Sequence, residues 1–207
     1  MKKSARETLK KILHSPGRGA AGACFTALLL FACLLPPQIS AAGAGPQSEP
    51  WLLVDTGKLT LTVMQHNRPS MTLHNIAIGR YGTSVDKRRG DNKTPLGRFR
   101  ITKIHRETNF HGFIGLDYPG IEHAEKGHQE GVISQRELEA ILRAHRLGTP
   151  PPQHTALGGN IGIHGLGRGD PQLHETMNWT RGCVALTDEQ MDALLSWARI
   201  DMTVEIR

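Results

Sequence analysis

A two-residue alternation of apolar and polar side chains constrains this chain more than any other feature of it. Leu59-Thr60-Leu61-Thr62-Val63 puts apolar groups on one face and threonines on the other, as a half-buried strand requires. Trp51-Leu52-Leu53-Val54 precedes it, and Asp55-Thr56-Gly57 lies between as a turn, so the two segments read as neighbouring strands. Met71 to Ile78, closed by Gly79, reads as a third strand, and Arg98 to Ile104 alternates in the same way. Asn160 to His164 and Thr203 to Ile206 are short final strands. Two helices stand out against them. Ser134-Gln135-Arg136-Glu137 and Thr187-Asp188-Glu189-Gln190 are capping boxes. Leu138, Ile141 and Leu142 follow the first; Met191, Leu194, Leu195 and Ala198 follow the second at helical spacing. Gly148 before Pro150 stops the first helix. The expected architecture is a single mostly β (α+β) domain over residues 51–207, a sandwich or barrel of strands with attached helices.

The remainder of the chain reads as a leader. Residues 1–18 are basic, Ala20 to Leu35 is a continuous apolar run, and Pro36-Pro37 leads to small residues around Ala42 and Ala44. Basic, apolar, then small is the order of a secretory signal peptide. Residues 1–42 are assigned to it and 43–50 to a linker, with an uncleaved anchor as the alternative. Membrane contact is expected only through this leader, and the compartment expected is the periplasm or cell envelope. The leader also carries the charge. The net +6 comes from 25 basic and 19 acidic residues; without Lys2, Lys3, Arg6, Lys10, Lys11, Arg18 and Glu7, 19 and 18 remain. A nearly neutral domain gives no ground for a nucleic-acid partner.

Cys24 and Cys33 fall in the leader, so Cys183 is the one thiol of the domain. In an oxidising compartment an unpaired thiol is either buried and inert or used. A thiol with a pKa of ~8.5 is only slightly ionised at neutral pH, so its use as a nucleophile calls for a base. His164 ends the short apolar strand Ile161-Gly162-Ile163, and a Cys/His pair suits acyl transfer through a thioester. Gly182 permits a tight turn that turns the N–H groups of Gly182 and Cys183 toward a developing oxyanion. A Cys and a His alone are a weak signal, and the inert reading stays open on spacing alone.

The surrounding residues are more specific. His164-Gly165 is followed, with fifteen residues between His164 and Thr180, by Thr180-Arg181-Gly182-Cys183-Val184, and upstream lies Lys93-Thr94-Pro95-Leu96-Gly97-Arg98-Phe99-Arg100-Ile101. Together with the opening Trp51-Leu52-Leu53-Val54-Asp55, this order resembles the L,D-transpeptidase catalytic (YkuD) domain family. Leu116-Asp117-Tyr118-Pro119 resembles one branch of it. The resemblance implies that Cys183 is the nucleophile and His164 the general acid/base. It further implies that the Gly165 carbonyl orients the imidazole and that Gly182 supplies an oxyanion donor. Thr180, Arg181 and Tyr118 are assigned to substrate binding, Tyr118 from a loop or lid over Asn109 to Val132. Arg181 stands where the family often has His, suited there to hold a substrate carboxylate or support the thiolate, and Ala185-Leu186 stand where Arg or Asn is frequent.

By the same resemblance the substrate is a peptidoglycan stem peptide, cut after the L-centre of its third residue. The acyl group passes to an amine on another stem, to the lysine of a wall-anchored lipoprotein, or to water. No cofactor or metal is implied, and carbapenems would acylate the same thiol. Other readings are a murein peptidase or amidase with the same pair, a wall-binding domain with an inert Cys183, and a metal hydrolase. His123-x4-His128 lacks the Cys or carboxylate pattern of a metal site. Lys87-Arg88-Arg89 reads as a solvated turn, with contact to anionic glycan or stem carboxylates as the alternative, and His174 as structural or substrate-facing.

Overall fold

The computed structural model describes residues 49–207, so the leader and most of the linker lie outside the described residues. Strands β1 (Trp51–Asp55) and β2 (Thr60–Gln65) pair antiparallel, Leu52 opposite Val63 and Val54 opposite Leu61. All four are fully buried, so the alternation read from the sequence is a real inward face. Each such side chain removed from water contributes about 1.5–3 kcal/mol. A two-residue turn at His66-Asn67 leads into β3 (Arg68–His74). Both turn residues have positive φ, the backbone that matches strand twist in a tight hairpin.

The strand expected over Met71–Ile78 starts earlier and ends at His74. Asn75 takes a positive φ there, and Ile76 to Ile78 leave the hairpin to bridge Ala185 through Ala77. Short strands β4 (Thr83–Ser84) and β5 (Thr94–Pro95) pair with each other, and β6 (Gly97–His105) enters the main sheet. β10 (Thr203–Ile206), the last strand in sequence, inserts between β1 and β6, with Val204 opposite both Leu52 and Phe99. β7 (Phe113–Leu116), β8 (Gly162–His164) and β9 (Val184–Ala185) complete an eight-stranded mixed sheet of order β3-β2-β1-β10-β6-β7-β8-β9. A large mixed sheet with a few helices agrees with the mostly-β expectation.

The helices α1 (Ile121–Gln129), α2 (Gln135–Arg146), α3 (Pro171–Thr176) and α4 (Asp188–Trp197) flank this sheet. Both capping boxes close as expected: Ser134 and Glu137 bond reciprocally, as do Thr187 and Gln190. Met191, Leu194 and Leu195 of α4 join the main core, while Ile141 of α2 meets Ala124, Ile133 and Leu157 in a smaller one.

Three expectations are corrected here. Asn109–Val132 is not a lid, because it contains β7, a central strand, and α1. Lys87 is not in a solvated turn. It is 3% exposed, with Nζ 2.7 Å from Asp91 Oδ1. Tyr118 does not face a substrate: its ring is fully buried between Phe99 and His123, and its hydroxyl donates to the Leu157 carbonyl at 2.9 Å. That bond ties the large core to the small one, and burial raises the phenol pKa far above its ordinary value. Replacing Tyr118 with Phe would strand a buried carbonyl, so Tyr118→Phe is expected to lower the unfolding free energy by about 1–2 kcal/mol in chemical denaturation.

Candidate active site

Parallel pairing of β8 with β9 sets Ile163 opposite Val184 and His164 opposite Ala185. Residues two apart along a strand share a face. Cys183, two before Ala185, therefore projects to the same side of the sheet as His164. Both side chains line one cavity of about 520 Å³, with Phe110, Trp179, Thr180 and Arg181 also in its wall.

The loop carrying the thiol is held by threonine hydroxyls. Thr180 Oγ1 donates to the Cys183 carbonyl at 2.7 Å and accepts the Gly182 N–H at 3.1 Å. Thr94, from the Thr-Pro segment, accepts the Gly79 N–H and approaches the Cys183 carbonyl at 3.5 Å. Gly182 has φ +126°, and a Cβ there would lie 2.7 Å from the Lys93 carbonyl oxygen. The Thr-Pro strand thus packs directly on the Gly-Cys turn, which explains why two motifs so far apart in sequence belong to one site.

This network corrects the assignment of Gly182 as an oxyanion donor. Its N–H is already taken by Thr180 Oγ1, whereas the Cys183 N–H has no acceptor among the described residues. Gly182 serves the site by conformation and room instead. Thr180 acts on the loop in the same way, although it also borders the cavity.

His164 is 4% exposed, and its Nδ1 lies 2.7 Å from the Gly165 carbonyl oxygen. A carbonyl only accepts, so Nδ1 carries the proton and Nε2 keeps its lone pair. The ring packs against Phe110 at 4.6 Å and Trp179 at 5.8 Å between centroids. Burial pushes the imidazole pKa below its ordinary 6.5, the Gly165 bond opposes this, and His174 adds to it. Cys183 is half-buried with Sγ 3.5 Å from the Asn160 carbonyl oxygen. Burial raises the thiol pKa above its ordinary value, against a backbone hydrogen bond at Gly162 and the buried Lys87 cation. Both shifts favour the neutral forms, a thiol and an imidazole whose Nε2 can take a proton, over a standing ion pair.

Asn160, Phe110, Arg80 and Lys87 border the thiol or its cavity without having been anticipated. Asn160 sits at positive φ, which aims its carbonyl at sulfur, a backbone role without side-chain signal. His174 lies one layer back, where Trp179 Nε1 donates to its Nδ1 at 3.3 Å. No group of three or more His, Cys, Asp or Glu able to hold a metal forms among the described residues. His123 and His128 instead face the carbonyls of Leu96 and Ile133. No helix among them is long and apolar enough to cross a membrane.

The mixed sheet thus presents a thiol and an imidazole in one cleft, a pair of the kind that covalent acyl transfer requires. Residues 49–206 match the family model of the L,D-transpeptidase catalytic domain, YkuD, and the chain belongs to that family. Among solved structures it is similar to Pgp2, the helical cell shape determining protein of Campylobacter jejuni, at 18% identity and TM-score 0.52, over 80% of this chain and 52% of that one. Bd1075 of Bdellovibrio bacteriovorus is similar at 16% identity and TM-score 0.50, over 77% and 48%. The chain spans about half the length of these two structures, and at such identity the likeness is one of fold. No curated protein matches.

An NMR titration of the His164 imidazole is expected to give a midpoint below 6.5, because burial penalises the cation; a midpoint above that value would contradict the neutral-base arrangement. Gly182→Ala is expected to cost about 2 kcal/mol or more in chemical denaturation, since alanine is strained at that φ and meets Lys93.

Proposed function

We propose that the chain is an exported cysteine L,D-transpeptidase that acts on peptidoglycan stem peptides. The observation that carries this reading is His164 Nδ1 on the Gly165 carbonyl, which leaves Nε2 basic in the cleft that holds Cys183. In the proposed reaction Nε2 removes the thiol proton as sulfur attacks the L-centre carbonyl of the third stem residue. The Cys183 N–H steadies the oxyanion. The Nε2 proton then passes to the amine of the departing D-residue, leaving a thioester on Cys183. An acceptor amine surrenders its proton to Nε2, attacks the thioester and restores the thiol. Arg181 and Thr180 border the path of the peptide. The chemistry needs no cofactor or metal.

Export rests on the basic–apolar–small leader, residues 1–42, and places the enzyme in the periplasm or cell envelope. Wall cross-linking or remodelling, and through it cell shape, is the biological role proposed; a lysine on a wall-anchored lipoprotein is a further acceptor of the right chemistry. Carbapenems are expected to acylate Cys183.

Mass spectrometry of defined tetrapeptide muropeptides incubated with the full chain tests the reading. Cross-linked dimers or exchanged terminal D-residues are expected, with rates reduced on the order of 10³-fold or more in Cys183→Ala and in His164→Ala. Shortened monomers alone would make water the acceptor and the enzyme a peptidase. Turnover retained in Cys183→Ala would overturn the proposal.

A further inference from the structure

A second cavity, of about 340 Å³, adjoins the Cys183 cleft and shares Asn160 and Arg181 with it. Its wall carries three cationic side chains, Lys87, Arg89 and Arg181, and no carboxylate. The nearest acid, Asp91, is spent. It accepts from Lys87 Nζ at 2.7 Å and from the backbone N–H groups of Arg88 and Lys93. Arg89 Nε is anchored on the Thr155 carbonyl at 3.1 Å, which fixes the guanidinium and leaves its other N–H groups unspent. Among the described residues neither Arg89 nor Arg181 forms an ion pair, whereas Arg88 is neutralised by Glu130. Lys87 is 3% exposed and held by Asp91, whereas Arg89 and Arg181 are exposed and carry no carboxylate partner, a basic wall suited to an anionic ligand.

Position narrows the ligand. Asn160 touches sulfur with its carbonyl and also lines the second cavity, so it forms the partition between the two. A peptide residue spans at most ~3.6 Å. A group entering the second cavity is thus within a residue or two of the carbonyl under attack.

We propose that the Lys87/Arg89/Arg181 cavity is a subsite that binds a carboxylate of the donor peptide. This rests on the stem-peptide reading above and adds the determinant by which the donor is chosen. Two carboxylates lie within reach of the scissile bond: the terminal one of the departing D-residue, and a side-chain one where the third residue is a dicarboxylic diamino acid. Arg presents parallel N–H donors that match either group.

The test uses the full chain and four tetrapeptide donors, crossing a terminal carboxylate or amide with a side-chain carboxylate or amide on the third residue. Wild type is expected to favour one carboxylate over its amide by about tenfold or more in kcat/KM, mainly through KM. The amidation that removes this preference identifies the source. Arg181→Gln and Arg89→Gln should each push the preference toward unity, and Arg89→Lys should keep part of it. Variants that slow all four donors by the same factor would overturn the subsite. If wild type consumes no donor, the stem-peptide reading fails separately, and calorimetric binding of the same four peptides decides the subsite. There, Kd weakened about tenfold by the Arg→Gln changes for carboxylate peptides only supports it, and equal Kd values overturn it.

Discussion

The pairing of two very short strands underlies the site. β8 and β9 share only two register pairs, Ile163–Val184 and His164–Ala185, yet that parallel contact sets a thiol and an imidazole on one face although 19 residues separate them in the chain. So short a ladder is stable only because its surroundings enforce it. Ile163, Val184 and Leu186 are fully buried, and Ala77 bonds Ala185 from the opposite edge in both directions. Phe99 and Ile101 on β6 and Val204 on β10 fill the same core. The long hairpins and the inserted final strand therefore act on the chemistry through position, as the rigid floor on which a two-residue strand can be placed accurately.

Desolvation then sets the electrical state of the pair. It disfavours charge on both groups, raising the thiol and lowering the imidazole, and so favours the neutral form of each. The Gly165 carbonyl supplies orientation without negative charge, where a carboxylate would have stabilised the imidazolium and favoured a standing ion pair. Lys87 tempers the effect on Cys183, from a buried ion pair with Asp91 packed against the Gly182 turn. The same lysine faces the neighbouring cationic cavity, so thiol acidity and the proposed donor recognition draw on one buried charge.

Much of this was legible in the residues. The alternation from Leu59 to Val63, the capping boxes at Ser134 and Thr187, and the apolar stripe of α4 are local patterns with local causes. The boxes form as expected, and the strand and helix differ from expectation only at Leu59, which takes a positive φ in the turn, and Ala198, which caps the helix. The Thr-Arg-Gly-Cys turn and the His-Gly pair pointed to one site before any geometry was known. What escaped were elements without such signals. α1 has Gly120 at its N-cap with no side-chain bond, and buries only His123, Ala124 and Gly127, so neither cap nor stripe announced it. β7 is four residues long with Gly115 in it, too short for alternation to register. Tyr118 was misplaced because an aromatic near a motif looks the same whether it lines a cleft or locks two cores together.

By itself, then, the sequence determined the half-buried strands, the helix starts, and the local motifs that mark the family, since these depend on neighbours a few residues apart. Only the tertiary structure decided that the Gly182 N–H is consumed by Thr180, that Asn160 turns its carbonyl to sulfur, and that Lys87 is buried. The physical reason is common to all three. Hydrogen-bond competition, backbone aim and desolvation depend on groups brought close from distant parts of the chain, and no local pattern encodes which of them arrive.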